Sequence, residues 1–221
     1  MNRTDAIVAW ASGPDILDIG CTDHVVEPGS AHWVHRRLVQ HHPATIGIDV
    51  DHENVKRVAE LGYPVIVADG QRFALNKRFD TVVAGDVIEH VDDPARLLRS
   101  CAEHLKPGGK IVLTTPYPFC LQHQLYALIS YPRTCLNEEH AVWFCPQTFT
   151  ELARRSSLRV VHQDLVDYYR SDFGTWRNRI FVRLLRALSP VLPKRLRSNT
   201  MLFVLERDLA SASEHSPVDV R

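Results

Sequence analysis

Short apolar runs alternate with stretches whose apolar residues recur at helical spacing, and that alternation predicts a parallel sheet joined by crossover helices. Residues 16–19, 45–49, 64–68, 79–84 and 110–115 read as five successive strands. Each is brief and apolar on both faces, as a strand buried between two helical layers must be. Helices are predicted over 31–42, 52–61 and 94–105, and Lys106-Pro-Gly-Gly109 marks a turn into the fifth strand. Beyond Pro116 the periodicity weakens, and residues 117–145, rich in aromatic residues, His and Cys, read as a long and partly helical insertion. Pro146 suits the first position of a helix that continues over 147–155. Residues 158–166 and 200–206 supply a sixth and a seventh strand.

A second irregular stretch, 168–197, holds an amphipathic helix over 176–188, with Ile180, Phe181, Leu184, Leu185 and Leu188 on one side and Arg179, Arg183 and Arg186 opposite. Two readings stand for it: a face for an anionic acceptor or a membrane surface, and a packed helix with solvated arginines. Residues 1–208 thus form one domain with insertions at 117–145 and 168–197, and residues 209–221 form a disordered tail. About fifteen residues precede the first strand, too few for a sizeable lid.

Composition narrows the class. A chain of 221 residues, 45% apolar and 24% charged, is an ordinary globular domain. Its 26 basic and 26 acidic side chains balance, so no global field gathers nucleic acid or a membrane surface. The start lacks an apolar signal core, and no apolar run reaches the ~18 residues of a membrane span. Five cysteines (Cys21, Cys101, Cys120, Cys135 and Cys145), odd in number and without a CxxC pair, read as the reduced thiols of a cytoplasmic protein. Twelve histidines make metal binding or proton transfer worth testing.

The string Ile16-Leu-Asp-Ile-Gly-Cys-Thr-Asp23 resembles the first motif of class I S-adenosylmethionine-dependent methyltransferases, a strand ending in D-x-G-x-G-x-G. Asp18 and Gly20 match, while Thr22 and His24 replace the later glycines. A glycine just past such a strand lets the backbone approach a ligand. Asp49 closing the second strand, Asp69-Gly70 after the third, 79–91 with its Gly-Asp-Val-Ile-Glu-His core, and the Lys-Pro-Gly-Gly turn complete the family's motif order across residues 15–115. The resemblance implies a Rossmann-like, doubly wound α/β sheet in the order 3-2-1-4-5-7-6 with strand 7 antiparallel, and a ligand beyond the carboxyl ends of the strands. It assigns S-adenosylmethionine to Asp18, Gly20, Cys21, Trp33, His35, Asp49, Val50, Asp69, Gly70 and Asp86. In that family the acid at Asp49 meets both ribose hydroxyls and the one at Asp69 meets the adenine amino group. Trp33 and His35 either cover the methionine moiety or begin an amphipathic helix with Trp33 buried.

The chemistry implied is methyl transfer to oxygen. Asp86, Glu89 and His90 stand at i, i+3 and i+4, which share a face if they begin a helical turn, and two carboxylates with an imidazole suit Mg²⁺. The same string resembles an element of ubiquinone O-methyltransferases in which a metal is implicated; the plainer reading is a capped turn. His140 resembles the His…Phe…Pro element of glycan O-methyltransferases, and its imidazole can take the acceptor proton, with Asp86 also at the reacting edge. Tyr117, His123 and Trp143 are expected to line the acceptor pocket. The acceptor expected first is a sugar or glycan hydroxyl of the kind used in polysaccharide biosynthesis, and second an aromatic or isoprenoid hydroxyl. A homodimer is compatible with this reading. Two rivals stand beside it: an NAD enzyme, which the missing G-x-G-x-x-G disfavours, and an inactive cofactor-binding scaffold.

Overall fold

The computed structural model describes residues 1–22, 30–129, 131–132, 137–167, 180, 183, 187 and 191–208. Apart from Ile180, Arg183 and Ala187, the amphipathic helix expected over 176–188 lies outside the described residues, as does the tail expected from 209.

Seven strands form one sheet: β1 (Ile16–Ile19), β2 (Ile46–Asp49), β3 (Val65–Val67), β4 (Phe79–Gly85), β5 (Leu105–Pro116), β6 (Leu158–Val166) and β7 (Thr200–Arg207). Their order is β3-β2-β1-β4-β5-β7-β6. The pairs β1–β2, β1–β4, β2–β3 and β4–β5 are parallel, and β7 runs antiparallel to both of its neighbours. This is the expected doubly wound sheet. Because β1 to β5 run one way, the residues that follow Ile19, Asp49, Val67, Gly85 and Pro116 gather on a single edge.

Helices α2 (Val34–His41), α3 (His52–Glu60), α4 (Pro94–Glu103), α5 (Leu121–Ile129), α6 (Pro146–Arg155) and the short α7 (Lys194–Arg197) connect the strands. Strand alternation divides the core into two layers. Val82, Ala84, Ile111, Leu113, Met201 and Phe203 face one layer with Leu97, Leu98 and Phe149. Val83, Val112 and Leu202 face the other with Ala6, Ile7 and Leu38.

Two local features depart from the sequence expectation. The segment before β1 carries a helix, α1 (Arg3–Trp10), whose N-cap Asn2 accepts the Asp5 N–H at 2.9 Å. Its residues Ala6 and Ile7 are fully buried in the second layer. Residues 106–109, expected as a turn ahead of the fifth strand, lie within β5 as an irregularity. Pairing jumps from Phe79↔Leu105 to Thr81↔Lys110, Gly108 takes φ +75°, and a Cβ on Gly109 would stand 3.0 Å from the Phe79 carbonyl oxygen. The strand therefore bulges instead of turning.

Phe149 joins α6 to the sheet by stacking on Phe203, with ring centroids 3.9 Å apart. Phe149→Ala is expected to cost about 3–5 kcal/mol in urea unfolding at equilibrium. A loss below about 1 kcal/mol would mean that the layer collapses around the gap and that this ring is not what seats α6.

Candidate active site

The first wall of the site is built where β1 and β2 end. Gly20 adopts φ +73°, and a Cβ there would meet Val87 Cγ2 at 2.5 Å, so a glycine is required on both counts. The following loop is stitched to β2: the Gly20 and Cys21 N–H groups donate to the Ile48 carbonyl at 2.9 and 3.3 Å. Thr22 donates to Asp49 Oδ2 from its hydroxyl at 2.8 Å and its N–H at 3.1 Å. Asp49 Oδ1 accepts the Asp51 N–H at 3.1 Å. Val50 beside it is 62% exposed, and in the next turn Asp69 Oδ1 accepts the Gln71 N–H at 2.9 Å. Gly70 is buried because Ile19 stands where its Cβ would be.

Trp33 and His35 turn inward. Trp33 caps α2, donates its indole N–H to the Cys21 carbonyl at 2.8 Å and meets Tyr63 edge to face. His35 has no exposed surface and shares a 3.1 Å hydrogen bond between its Nδ1 and Asp18 Oδ2. Burial raises the Asp18 carboxyl, and His35 offsets part of that rise. Of the two readings given for this pair, the buried helix start is the one observed. Both residues support the loop from beneath. The Cys21 thiol is likewise buried, and its pKa is pushed up by that burial.

The second wall follows β4. Asp86 lies in the left-handed region at φ +56° and so does not begin a helical turn. Its carboxylate is taken from two sides: Arg3 Nε pairs with Oδ2 at 2.9 Å, and the Thr114 hydroxyl donates to Oδ1 at 2.7 Å. Arg3 also donates to the Gly85 carbonyl at 3.1 Å. The helical turn arrives one step later, with the His90 N–H donating to the Val87 carbonyl at 3.0 Å. Of the expected metal set, Asp86 is paired with Arg3, and among the described residues the ligand atoms that lie within 4.8 Å of one another belong to Glu89, His90 and His140.

His140 reaches this turn because the residues after it dock on Glu89, whose carbonyl accepts the Ala141 N–H at 2.8 Å and the Val142 N–H at 3.3 Å. The His90 and His140 rings meet edge to face at 4.7 Å. Burial and the neighbouring His90 bring the His140 pKa down to about 4. Glu89 is 1% exposed, and burial followed by repulsion from Asp86 holds its carboxyl well above the ordinary range. Its Oε2 accepts the Thr115 hydroxyl at 3.0 Å, while Oε1 has no hydrogen-bond partner among the described residues. The residues expected to line an acceptor pocket also come together. His123 Nδ1 donates to the Tyr117 carbonyl at 2.8 Å, and its ring lies 5.4 Å from that of Trp143. His123 is near enough to His140 to help lower its pKa.

Arg3, Thr22, Thr114 and Thr115 carry this geometry and were not singled out from the sequence. For Arg3 a signal existed: Asn2 as a cap, followed by Ala6, Ile7 and Trp10 at helical spacing. The threonines gave none, since their partners are remote in the chain.

A family model described as a methyltransferase domain matches residues 5–163. Ubiquinone biosynthesis O-methyltransferase of Stutzerimonas stutzeri is 29% identical over 147 residues, 60% of this chain and 60% of that one, so the chain spans about three fifths of that relative's length. A SAM-dependent methyltransferase from Archaeoglobus fulgidus superposes with a TM-score of 0.59 at 16% identity, over 92% of this chain and 94% of that one. Magnesium protoporphyrin IX methyltransferase from Synechocystis PCC 6803, with bound SAH, gives 0.61 at 14% identity over 92% and 81%. At such identities the structural likeness is one of fold.

The Arg3–Asp86 pair is open to a double-mutant cycle. Arg3→Met alone is expected to lose about 3 kcal/mol of stability, because it strands a half-buried carboxylate. Adding Asp86→Asn should recover part of that loss, the signature of direct coupling. Strictly additive losses would show that the two side chains do not support each other.

Proposed function

This chain belongs to the methyltransferase-domain family, and from that premise we propose that it binds S-adenosylmethionine at the edge of β1, β2 and β4 and methylates an acceptor hydroxyl. The observation that carries the reading is the Gly20 turn, which a Cβ would fill, set beside the Asp49 carboxylate at the end of β2. The residues fit such a ligand. Gly20 to Thr22 offer bare backbone, Asp49 offers ribose an acceptor, and exposed Val50 and Asp69 offer adenine an apolar face and a polar partner. When bound, the group would supply a sulfonium methyl carbon open to attack by oxygen, with the carbon–sulfur bonding pair leaving on sulfur.

The protein's own part is alignment and removal of one proton. The Asp86 turn, fixed by Arg3 and Thr114, and the Glu89–His90 turn bring His140 to the edge beyond β4. His140 takes the hydroxyl proton as the carbon–oxygen bond forms. Its lowered pKa keeps it unprotonated, and therefore able to accept, at neutral pH. A base of this strength matches an acidic hydroxyl. Phenols, with pKa near ~10, are better donors to it than sugar hydroxyls. The rings of His123 and Trp143 offer an aromatic acceptor a stacking surface. The relative named as an O-methyltransferase of ubiquinone biosynthesis supports transfer to oxygen. An aromatic hydroxyl thus ranks ahead of the sugar or glycan hydroxyl first expected.

The spacing of Glu89, His90 and His140 favours a second reading, in which the three hold a divalent ion. The orphaned Glu89 Oε1 fits that role. Two imidazoles with one carboxylate suit a borderline ion such as Zn²⁺ better than Mg²⁺, which prefers oxygen ligands. A bound ion would supply Lewis acidity, and His140 would then be unavailable as the base.

Mass spectrometry of turnover with S-adenosylmethionine, offered catechols and simple phenols beside free sugars and oligosaccharides, tests the reading. The expected product is a methylated phenol. Methylated sugars alone would reinstate the glycan acceptor, and binding without any turnover would favour a scaffold. The acid limb of kcat/KM should fall near pH 4, because only the neutral imidazole accepts a proton and burial has moved its titration down from 6.5. A limb at the ordinary histidine value would exclude His140 as the base. His140→Ala should abolish turnover, whereas dialysis against a chelator should leave it intact. Loss on chelation, reversed by Zn²⁺, would replace base catalysis with the metal reading.

A further inference from the structure

We infer that Thr22, which stands where the family's loop carries a glycine, is a positioning residue that sets the ribose-reading carboxylate of Asp49. The inference rests on the proposal that S-adenosylmethionine binds at this edge. Thr22 is 3% exposed, so its hydroxyl has little water to turn to, and it donates to Asp49 Oδ2 at 2.8 Å while the same residue's N–H donates there at 3.1 Å. Those two donors fill the lone pairs of Oδ2, and the Asp51 N–H at 3.1 Å takes one on Oδ1.

The acceptor capacity that remains lies on Oδ1. Asp49 therefore presents one oxygen, in a fixed orientation, to a ribose hydroxyl, and does not open both oxygens to the two hydroxyls of the diol. A glycine at this position could supply only the backbone donor. The backbone just before Thr22 is itself held, with the Trp33 indole N–H donating to the Cys21 carbonyl at 2.8 Å and the Cys21 N–H donating to the Ile48 carbonyl at 3.3 Å. The glycines missing from the motif are replaced by a side-chain latch that orders Asp49 before the ligand arrives, and less ordering is left for binding to supply.

Calorimetric affinities for S-adenosylhomocysteine, and for its analogue lacking both ribose hydroxyls, test this in wild-type protein, Thr22→Val and Thr22→Ser. Valine keeps the shape of threonine and the backbone donor while removing the hydroxyl. Thr22→Val is expected to weaken S-adenosylhomocysteine binding roughly tenfold, the scale of one hydrogen bond to a charged group. Thr22→Ser should restore most of it. The analogue should bind wild type and Thr22→Val equally weakly, because the effect of Thr22 runs through the ribose hydroxyl. Unchanged or tighter binding by Thr22→Val would overturn the inference, as would an equal loss for ligand and analogue, which would make Thr22 a loop brace only. Failure of the wild-type protein to bind S-adenosylhomocysteine would instead overturn the cofactor reading, and the role of Thr22 with it.

Discussion

Where β1 hands the chain to its loop, Val87 occupies the space a side chain on Gly20 would need. That contact locks the turn after β1 to the turn after β4, so the two walls of the candidate site are placed by one steric fit. Gly20 also takes left-handed backbone, and without a side chain it leaves bare peptide that a ligand could approach. Asp86, next to Val87, takes φ +56°, and its carboxylate is held there by Arg3 and Thr114.

Around this fit the polar groups are arranged by burial. Asp18 and His35 are buried against each other behind the turn after β1, where they brace it. Glu89 and His140 are also pressed toward their neutral forms, but they lie at the edge where Trp143 is 36% exposed and His123 stands close. Held neutral, neither group places a charge that this poorly hydrated edge would have to solvate. The guanidinium of Arg3, at the foot of this wall, is committed to Asp86.

The strand pattern was legible because burial on both faces imposes unbroken apolar runs; 158–166 was read to the residue, and Asp49 was correctly set at the end of β2. The bulge at 106–109 was not legible, since Pro-Gly-Gly serves a turn and an irregular strand alike and only the register of β4 against β5 decides between them. The joining of His140 to Glu89 and His90 was not legible for a similar reason. Spacing put Asp86 with Glu89 and His90, but a cation from α1 captured Asp86, and His140 arrived through two backbone hydrogen bonds to Glu89 from far along the chain. The latch on Asp49 was hidden in what looked like a loss: Thr22 counted against the motif until its hydroxyl was found on the carboxylate.

The central claim is that the cofactor lies between the Gly20 turn and Asp49 with its sulfur toward the Asp86 and His140 edge. A crystal structure of the protein with S-adenosylhomocysteine tests it most directly. The expected result is a ribose hydroxyl within hydrogen-bond distance of Asp49 Oδ1, adenine against Val50, and sulfur beside the Asp86 turn. A ligand whose ribose lies away from Asp49, or whose sulfur faces away from His140, would contradict it.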